Sequence, residues 1–547
     1  MGKIAGIQKN ASKVALAGVL AVSLCGGSML SGVSTAYAGN VTVNKIATES
    51  AADQLSYKAF KLFNATKNAD DSVSDITWAS DDVKAAVEGV IKAEDTAYAG
   101  TTAQAAAEWI AKHVTGTDAT TVVAADSVAN KIAKAVDDIT ATETLVSGKP
   151  KSLEKGYWLI VTDSATTAGK VDLVGTSPIF AVVGDDVLTI TPKTSTPTVD
   201  KTVKSDATDA FGKVADSQIG QVVEYKLVGT VANNIATYDT YSYTFTDTLS
   251  AGLELTSTND VKVAIDGTDV TDKATITWAG SILTVSFDNL LAAKDGINAD
   301  SKVTVTYKAK LTTGAVIGGA GNDNTVKLTY SNNPNTDSKG SSTPSTVRNY
   351  TYKLHLVKSD KATNEKLAGA KFTIQATGAD DSASKNLYVQ ADGTLGDTAY
   401  EFTTDANGVI DISGLDAGTY TVKETQAPAT DSDDPSYKPL AADFTFAIVP
   451  TYGTATDTQA LANLELTVAG NANVIAGLDS SDDNTLNADA DSAVVLGDGQ
   501  VNVTVANEKT IKMPLTGQQG IALAVGAGLV IVIASVVSLN KRRRDEE

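Results

Sequence analysis

One cysteine, Cys25, and two histidines, His113 and His355, are all this 547-residue chain offers of those residue types. Cys25 sits in an apolar stretch near the N-terminus that reads as removable. Without it the chain has no thiol, which excludes disulfides, thiol nucleophiles and any Cys-Gln thioester. The histidines stand far apart with no clustered partners, so incidental positions are expected and no metal site. No Gly-rich phosphate loop and no Ser-His-Asp set stands out. Neither a cofactor nor enzymatic turnover on an outside substrate is expected. A basic excess is also missing: the formal net charge of −21 argues against nucleic acid and anionic membrane surfaces as partners. Proline (11 residues) and aromatics (6%) are scarce. Thr, Val, Ala, Asp and Gly abound instead, and the coarse reading is mainly β.

Both ends of the chain carry processing signals. Lys3, Lys9 and Lys13 precede the apolar run Val14 to Leu24, and Ala36-Tyr37-Ala38 is an A-x-A site. That order predicts a signal peptide over 1–38, cut between Ala38 and Gly39. Bulky Leu24 before Cys25 fits a lipoprotein site poorly. At the other end stand Met513-Pro514-Leu515-Thr516-Gly517, the uncharged run Gly520 to Leu539, and Lys541-Arg542-Arg543-Arg544. As a helix, 520–539 would span about 30 Å, one hydrocarbon core, and is expected to be transmembrane. The basic tail would then stay cytoplasmic. An ordinary membrane anchor is the plainer reading of the span alone. The pentapeptide resembles the Leu-Pro-x-Thr-Gly cell-wall sorting signal of Gram-positive surface proteins, with Met513 in place of Leu. That resemblance implies sortase cleavage between Thr516 and Gly517 and transfer of the Thr516 carbonyl to an amine.

Between the ends the pattern divides. Residues 39–193 mix strands (Val41 to Lys45, Leu55 to Phe63, Tyr157 to Val161, Ile179 to Val183, Val187 to Ile190) with three Ala-rich segments of helical spacing. The helical segments fall near Asp81 to Ala93, Thr102 to His113 and Ala124 to Val136. Thr191-Pro192-Lys193-Thr194-Ser195-Thr196-Pro197 reads as a linker. Residues 197–343 and 349–509 are strand after strand with turn signals between, as in immunoglobulin-like sandwiches. Clear strands include Tyr241 to Leu249, Val303 to Lys310 and Thr325 to Tyr330. The fold class expected is mainly β, tandem β-sandwiches, the first region with helical insertions.

These features together resemble the major (backbone) pilins of Gram-positive sortase-assembled pili. Leu367-Ala368-Gly369-Ala370-Lys371-Phe372 and Gly414 to Tyr420 resemble collagen-adhesin B-type domains, and 197–343 resembles their A-type-like middle domain. Pilins of this kind carry Tyr-Pro-Lys after the first domain. Ile190-Thr191-Pro192-Lys193 occupies that place, with Thr191 for Tyr. The resemblance implies that the Lys193 amine attacks the sortase-bound Thr516 carbonyl of the next subunit. An exposed linker would suit that attack, and the amine must lose its proton to become nucleophilic.

Alternation along the strands exposes a second piece of chemistry, because residues two apart share a face. Leu354, Leu356 and Lys358 share one face, as do Tyr420, Val422 and Glu424, and Val501, Val503, Val505 and Asn507. Lysine, acid and amide each turn inward with apolar neighbours, which is costly for each alone. A buried salt bridge with an amide beside it is the plain reading. The set, with Tyr420 to Thr425 similar to a pilin Glu-box, resembles an intramolecular Lys–Asn isopeptide site. There Glu424 would serve as a single-use autocatalyst joining Lys358 to Asn507. In the middle region Val199, Lys201 and Val203 share a face, leaving Lys204 outside. Phe245, Asp247 and Leu249 share another. Asn324, Val326, Leu328, Tyr330 and Asn332 all point one way. Lys201, Asp247 and Asn324 form the expected set, with Asn332 the alternative. In the first region Val161 stands where an acid would fall, and no bond is expected there.

The resemblance implies a structural pilus-shaft subunit, secreted and linked to the cell wall, that supports adhesion. Its implied partners are a class C pilin sortase, a housekeeping sortase, identical subunits, minor pilins, peptidoglycan and a host surface ligand. The competing reading is a singly wall-anchored adhesin or a minor or tip pilin. An acidic loop, Asp479 to Asp491, reads as solvated.

Overall fold

The computed structural model describes residues 38–510, except 71, 115–121, 380–384, 429–435, 481–485 and 490–491. The expected signal peptide up to Tyr37 and the sorting signal with Thr516 therefore lie outside the described residues. The expectation of a transmembrane segment is corrected: among the described residues no helix is long and apolar enough to cross a membrane. The stretch on which it was placed, 520–539, lies outside them. The described residues form two compact units, one of those up to Thr351 together with Tyr452–Ala462, the other of Tyr352–Thr451 and those from Asn463 on. Each is mainly β.

The first unit begins with a five-stranded sheet. Its main path runs through Val73–Trp78, Ser56–Lys67, Gly156–Thr162 and Ile179–Val183. Every residue of Gly156–Thr162 is buried because both faces of this sheet are covered. Tyr157, Leu159 and Val161 pack with three helices. Trp158 and Ile160 pack with a three-stranded sheet of Ala38–Val43, Lys151–Glu154 and Leu188–Ile190. A continuous apolar run is what a doubly covered strand requires.

The helices, α1 (Asp81–Glu94), α2 (Ala103–His113) and α3 (Val128–Asp137), fall where the Ala-rich segments predict them. Each starts at a hydroxyl cap. Ser80, Thr102 and Ser127 accept from the N–H of Val83, Ala105 and Asn130, each worth about 1 kcal/mol. Their inward residues, among them Val87, Ile91, Ile110 and Ile132, complete the core against the sheet. Ala38 and Gly39, the expected cleavage pair, begin a strand, pairing with Glu154 and Leu153.

The same unit continues as a sandwich of two seven-stranded sheets. One contains Val199–Lys204, Val222–Thr230 and Lys302–Leu311 as neighbours. The other contains Ser345–Tyr350, Asn322–Ser331, Tyr243–Leu249 and Ile282–Phe287. Their inward faces share one aromatic-rich core that includes Tyr225, Tyr243, Phe245 and Tyr330.

The second unit is also two-layered. Val409–Leu415, Tyr352–Asp360, Gln500–Lys509 and Tyr437–Lys438 lie side by side in one sheet. Lys371–Ala379, Gly418–Gln426, 444–451 and 463–469 neighbour one another in the other. Tyr352–Asp360, which opens the unit, pairs in parallel with Gln500–Lys509, which closes it. No hairpin can make such a pair, and it joins stretches far apart in the unit's sequence.

Candidate functional site

Lys201 is fully buried in the middle sandwich. It stands on Val199–Lys204, whose alternate residues Val199, Lys201 and Val203 face the core. Asp247 and Asn324 project from the opposite sheet, on neighbouring antiparallel strands in which Asp247 pairs with Val326 and Asn324 with Leu249. The three meet inside. Lys201 Nζ lies 2.5 Å from each Asp247 carboxylate oxygen and 2.8 Å from Asn324 Oδ1. Lys204, by contrast, points outward to Asp209.

A fourth group, which the sequence reading missed, completes the cluster. Tyr307, on Lys302–Leu311, donates its hydroxyl to Asp247 Oδ2 at 2.6 Å. It accepts from Lys201 Nζ at 2.9 Å and from Asn324 Nδ2 at 2.7 Å. Its ring stacks on Tyr225, and the amine lies 5.3 Å from each ring centre. The signal was present in the sequence. Tyr307 is the hydroxyl-bearing member of the inward series Val303, Val305, Tyr307, Ala309, but such a ring reads as ordinary core.

Burial pushes the Lys201 amine down to about 8, while Asp247 pulls the other way. Charge is expensive here and a neutral amine cheap. A neutral lysine amine beside an amide carbonyl is a competent nucleophile. Asn332 is elsewhere: its Nδ2 donates to the carbonyls of Thr167 and Leu173. It seals the first region to the middle sandwich and does not reach the lysine cluster.

The second unit holds the other set. Lys358 is fully buried, and pairing puts it beside Val505 while Asp360 sits beside Asn507. Its amine donates to the carbonyls of Ser359 and Val505, at 3.3 and 3.2 Å. From the facing sheet Glu424 accepts from Asn507 Nδ2 at 2.9 Å with one oxygen, and from the Leu440 N–H at 2.7 Å with the other. Asn507 Oδ1 is buried without a hydrogen-bond partner, an orphan acceptor on the amide carbonyl. Burial pushes the Lys358 amine down to about 7 against the pull of Glu424 and Asp360. It also lifts the Glu424 carboxyl above its usual range, despite donors from Leu440 and Asn507 and the charge of Lys358. Asp360, absent from the expected set, accepts from Tyr437 Oη at 2.8 Å and holds its own turn through Ala362 and Thr363.

Lys193 is half-buried, not exposed as a linker residue would be. Its N–H donates to Thr176 Oγ1 at 2.8 Å, and its carbonyl accepts from Ser177 N–H at 3.3 Å. Val161 is buried among the helix-facing residues. His113 stacks on Trp109, and His355 contacts Asp411. Among the described residues no group of three or more His, Cys, Asp or Glu could hold a metal ion.

Residues 219–334, which contain Asp247, Tyr307 and Asn324, match the family model described as Gram-positive pilin backbone subunit 2, Cna-B-like domain. Residues 352–434, with Lys358 and Glu424, match SpaA, a prealbumin-like fold domain. The middle sandwich thus matches a Cna-B-like model where its sequence resembles the A-type. In solved structures the fold is similar to the T6 backbone pilin of serotype M6 Streptococcus pyogenes (15% identity, 88% of this chain and 100% of that one, TM-score 0.51). Full-length major pilin SpaD of Corynebacterium diphtheriae also aligns (16% identity, 87% and 98%, TM-score 0.46), as does BcpA, the major pilin subunit of Bacillus cereus (17% identity, 86% and 99%, TM-score 0.39). No curated protein sequence matches.

Proposed function

We propose that this protein is the structural subunit of a covalently polymerised pilus shaft on a Gram-positive cell surface. Two kinds of amide bond hold it. Within each of two sandwiches a buried lysine joins an asparagine, Lys201 to Asn324 and Lys358 to Asn507. Between subunits sortase joins Thr516 of one chain to Lys193 of the next. The architecture follows as a leader over 1–38, domains over 39–193, 197–343 and 349–509, and a sorting signal over 513–547.

The observation that carries this reading is the Lys201 cluster. A lysine, an acid and an asparagine meet in a fully buried core, the amine 2.8 Å from the amide oxygen. In the bond-forming step the neutral amine attacks Asn324 Cγ. A C–N bond forms to Nζ and the bond from Cγ to Nδ2 breaks. One proton passes from Nζ to the departing nitrogen, which leaves as ammonia. Asp247, and Glu424 in the second unit, take up and return that proton and end unchanged. Such a bond replaces the disulfides that a thiol-free secreted chain cannot make. By analogy with cross-linking a loop of this length it stabilises by roughly 5 kcal/mol.

For the linkage between subunits, the half-buried Lys193 backbone is anchored to Thr176 and Ser177, which would present its amine from a fixed point. The test is made on cell walls of the native host, wild type and Lys193→Ala, on denaturing gels probed for this protein. A high-mass ladder in wild type that vanishes in the variant is expected. A single wall-linked species in both strains would overturn the shaft and leave a lone adhesin.

A further inference from the structure

We infer that Tyr307 is a catalytic residue of bond formation in the middle sandwich, its hydroxyl carrying the proton from Lys201 to the departing nitrogen of Asn324. This rests on the isopeptide reading proposed above.

The two clusters differ in how the acid reaches the leaving group. In the second unit Glu424 Oε1 touches Asn507 Nδ2 directly, at 2.9 Å. In the middle sandwich the Asp247 carboxylate engages Lys201 Nζ and Tyr307 Oη. Its path to Asn324 Nδ2 runs through Tyr307, whose oxygen is 2.7 Å from that nitrogen. The same oxygen is 2.9 Å from the attacking amine. Tyr307 therefore touches both nitrogens that must exchange a proton, and the acid as well.

The relay balances. Nζ attacks Cγ and gives one proton to Asp247. Asp247 passes a proton from its Oδ2 to the Tyr307 oxygen as Tyr307 gives its own proton to Nδ2. The bond from Cγ to Nδ2 breaks and ammonia departs. Asp247 and Tyr307 end as they began, so neither is consumed. Complete burial pushes the phenol well above its ordinary range, so the hydroxyl rests protonated and ready to donate. The stacked Tyr225 ring and the sheet carrying Tyr307 hold it without help from the substrate groups.

The experiment follows the whole chain made in a short cell-free synthesis pulse and quenched with denaturant at intervals. Joined peptides containing Lys201–Asn324 and Lys358–Asn507 are counted by mass. Tyr307→Phe is expected to slow the first bond by on the order of a hundredfold, while the second forms at the wild-type rate in the same molecules. Site-specific 3-fluorotyrosine at 307 keeps the hydroxyl but makes it more acidic. It is expected to shift the rate of the first bond, and it decides the matter if the phenylalanine variant leaves the middle sandwich protease-sensitive. An unchanged rate in the folded Phe variant, or with fluorotyrosine, overturns the role of Tyr307 while leaving the bond itself in place. A wild-type chain that never joins Lys201 to Asn324 overturns the relay and the isopeptide reading together.

Discussion

Lys201 and Asn324 stand 123 positions apart in sequence, yet the amine of one lies 2.8 Å from the amide oxygen of the other. They project from opposite sheets of one sandwich. A covalent link between them would stop the two layers from separating. Under axial pulling, hydrogen bonds and apolar contacts can yield in sequence, whereas an amide cannot.

The intact mass of the folded chain should be short by one ammonia for each bond. Asn324→Ala and Asn507→Ala should each restore one, and the double variant both. Each single variant should also lower the melting midpoint of its own sandwich by about 10–20 °C, the shift for roughly 5 kcal/mol in a domain of this size. Unshortened wild-type mass would end the isopeptide reading.

Asn332→Ala should behave differently. It leaves the lysine cluster untouched, so the ammonia deficit should persist. The carbonyls of Thr167 and Leu173 would lose their donor, at a cost of about 1–3 kcal/mol, read as a lower urea midpoint. A restored ammonia in this variant would exchange the roles of the two asparagines.

Stability against pH should separate linked from unlinked chains. In Asn507→Ala the amine of Lys358 stays free, and burial holds it near 7 against an ordinary value of 10.5. Between those values the unfolded chain binds more protons than the folded one, so stability rises with pH from about 7 towards 10.5. Glu424, raised by burial, has the opposite slope at lower pH, losing stability as pH rises from its unfolded to its folded value. Wild type, its amine consumed in an amide, should lack the alkaline rise in denaturant titrations. An identical rise in both would mean that the wild-type lysine is free.

Thr176→Val removes the acceptor of the Lys193 N–H while keeping the shape of a buried side chain. Polymer formation by sortase should slow by several-fold, with the ammonia deficits unchanged, and Thr176→Ser should restore it. Equal ladder growth in Val and Ser variants would show that the anchoring of Lys193 is irrelevant to attack.

Much of the candidate site was legible because a strand has a period of two. The inward positions of Lys201, Asp247, Lys358 and Glu424 follow from their apolar neighbours, and the structure turns them the same way. The three early helices were legible too, from Ala-rich spacing and hydroxyl caps. That same periodicity could not separate Asn324 from Asn332, which are eight residues apart on one face. Pairing separates them: Asn324 lies opposite Leu249, diagonal to Asp247, whereas Asn332 runs past the core to the carbonyls of the first region. Tyr307 stayed hidden for a related reason. A buried phenol on an apolar face looks the same whether its hydroxyl is idle or bonded on three sides.

The sequence by itself determined the class of fold and which side chains turn inward, since both depend on composition or on local backbone geometry. Tertiary structure alone decided which inward groups meet. That choice depends on sheet order and strand register, which are set by packing over the whole sandwich and leave no mark in any short window of residues.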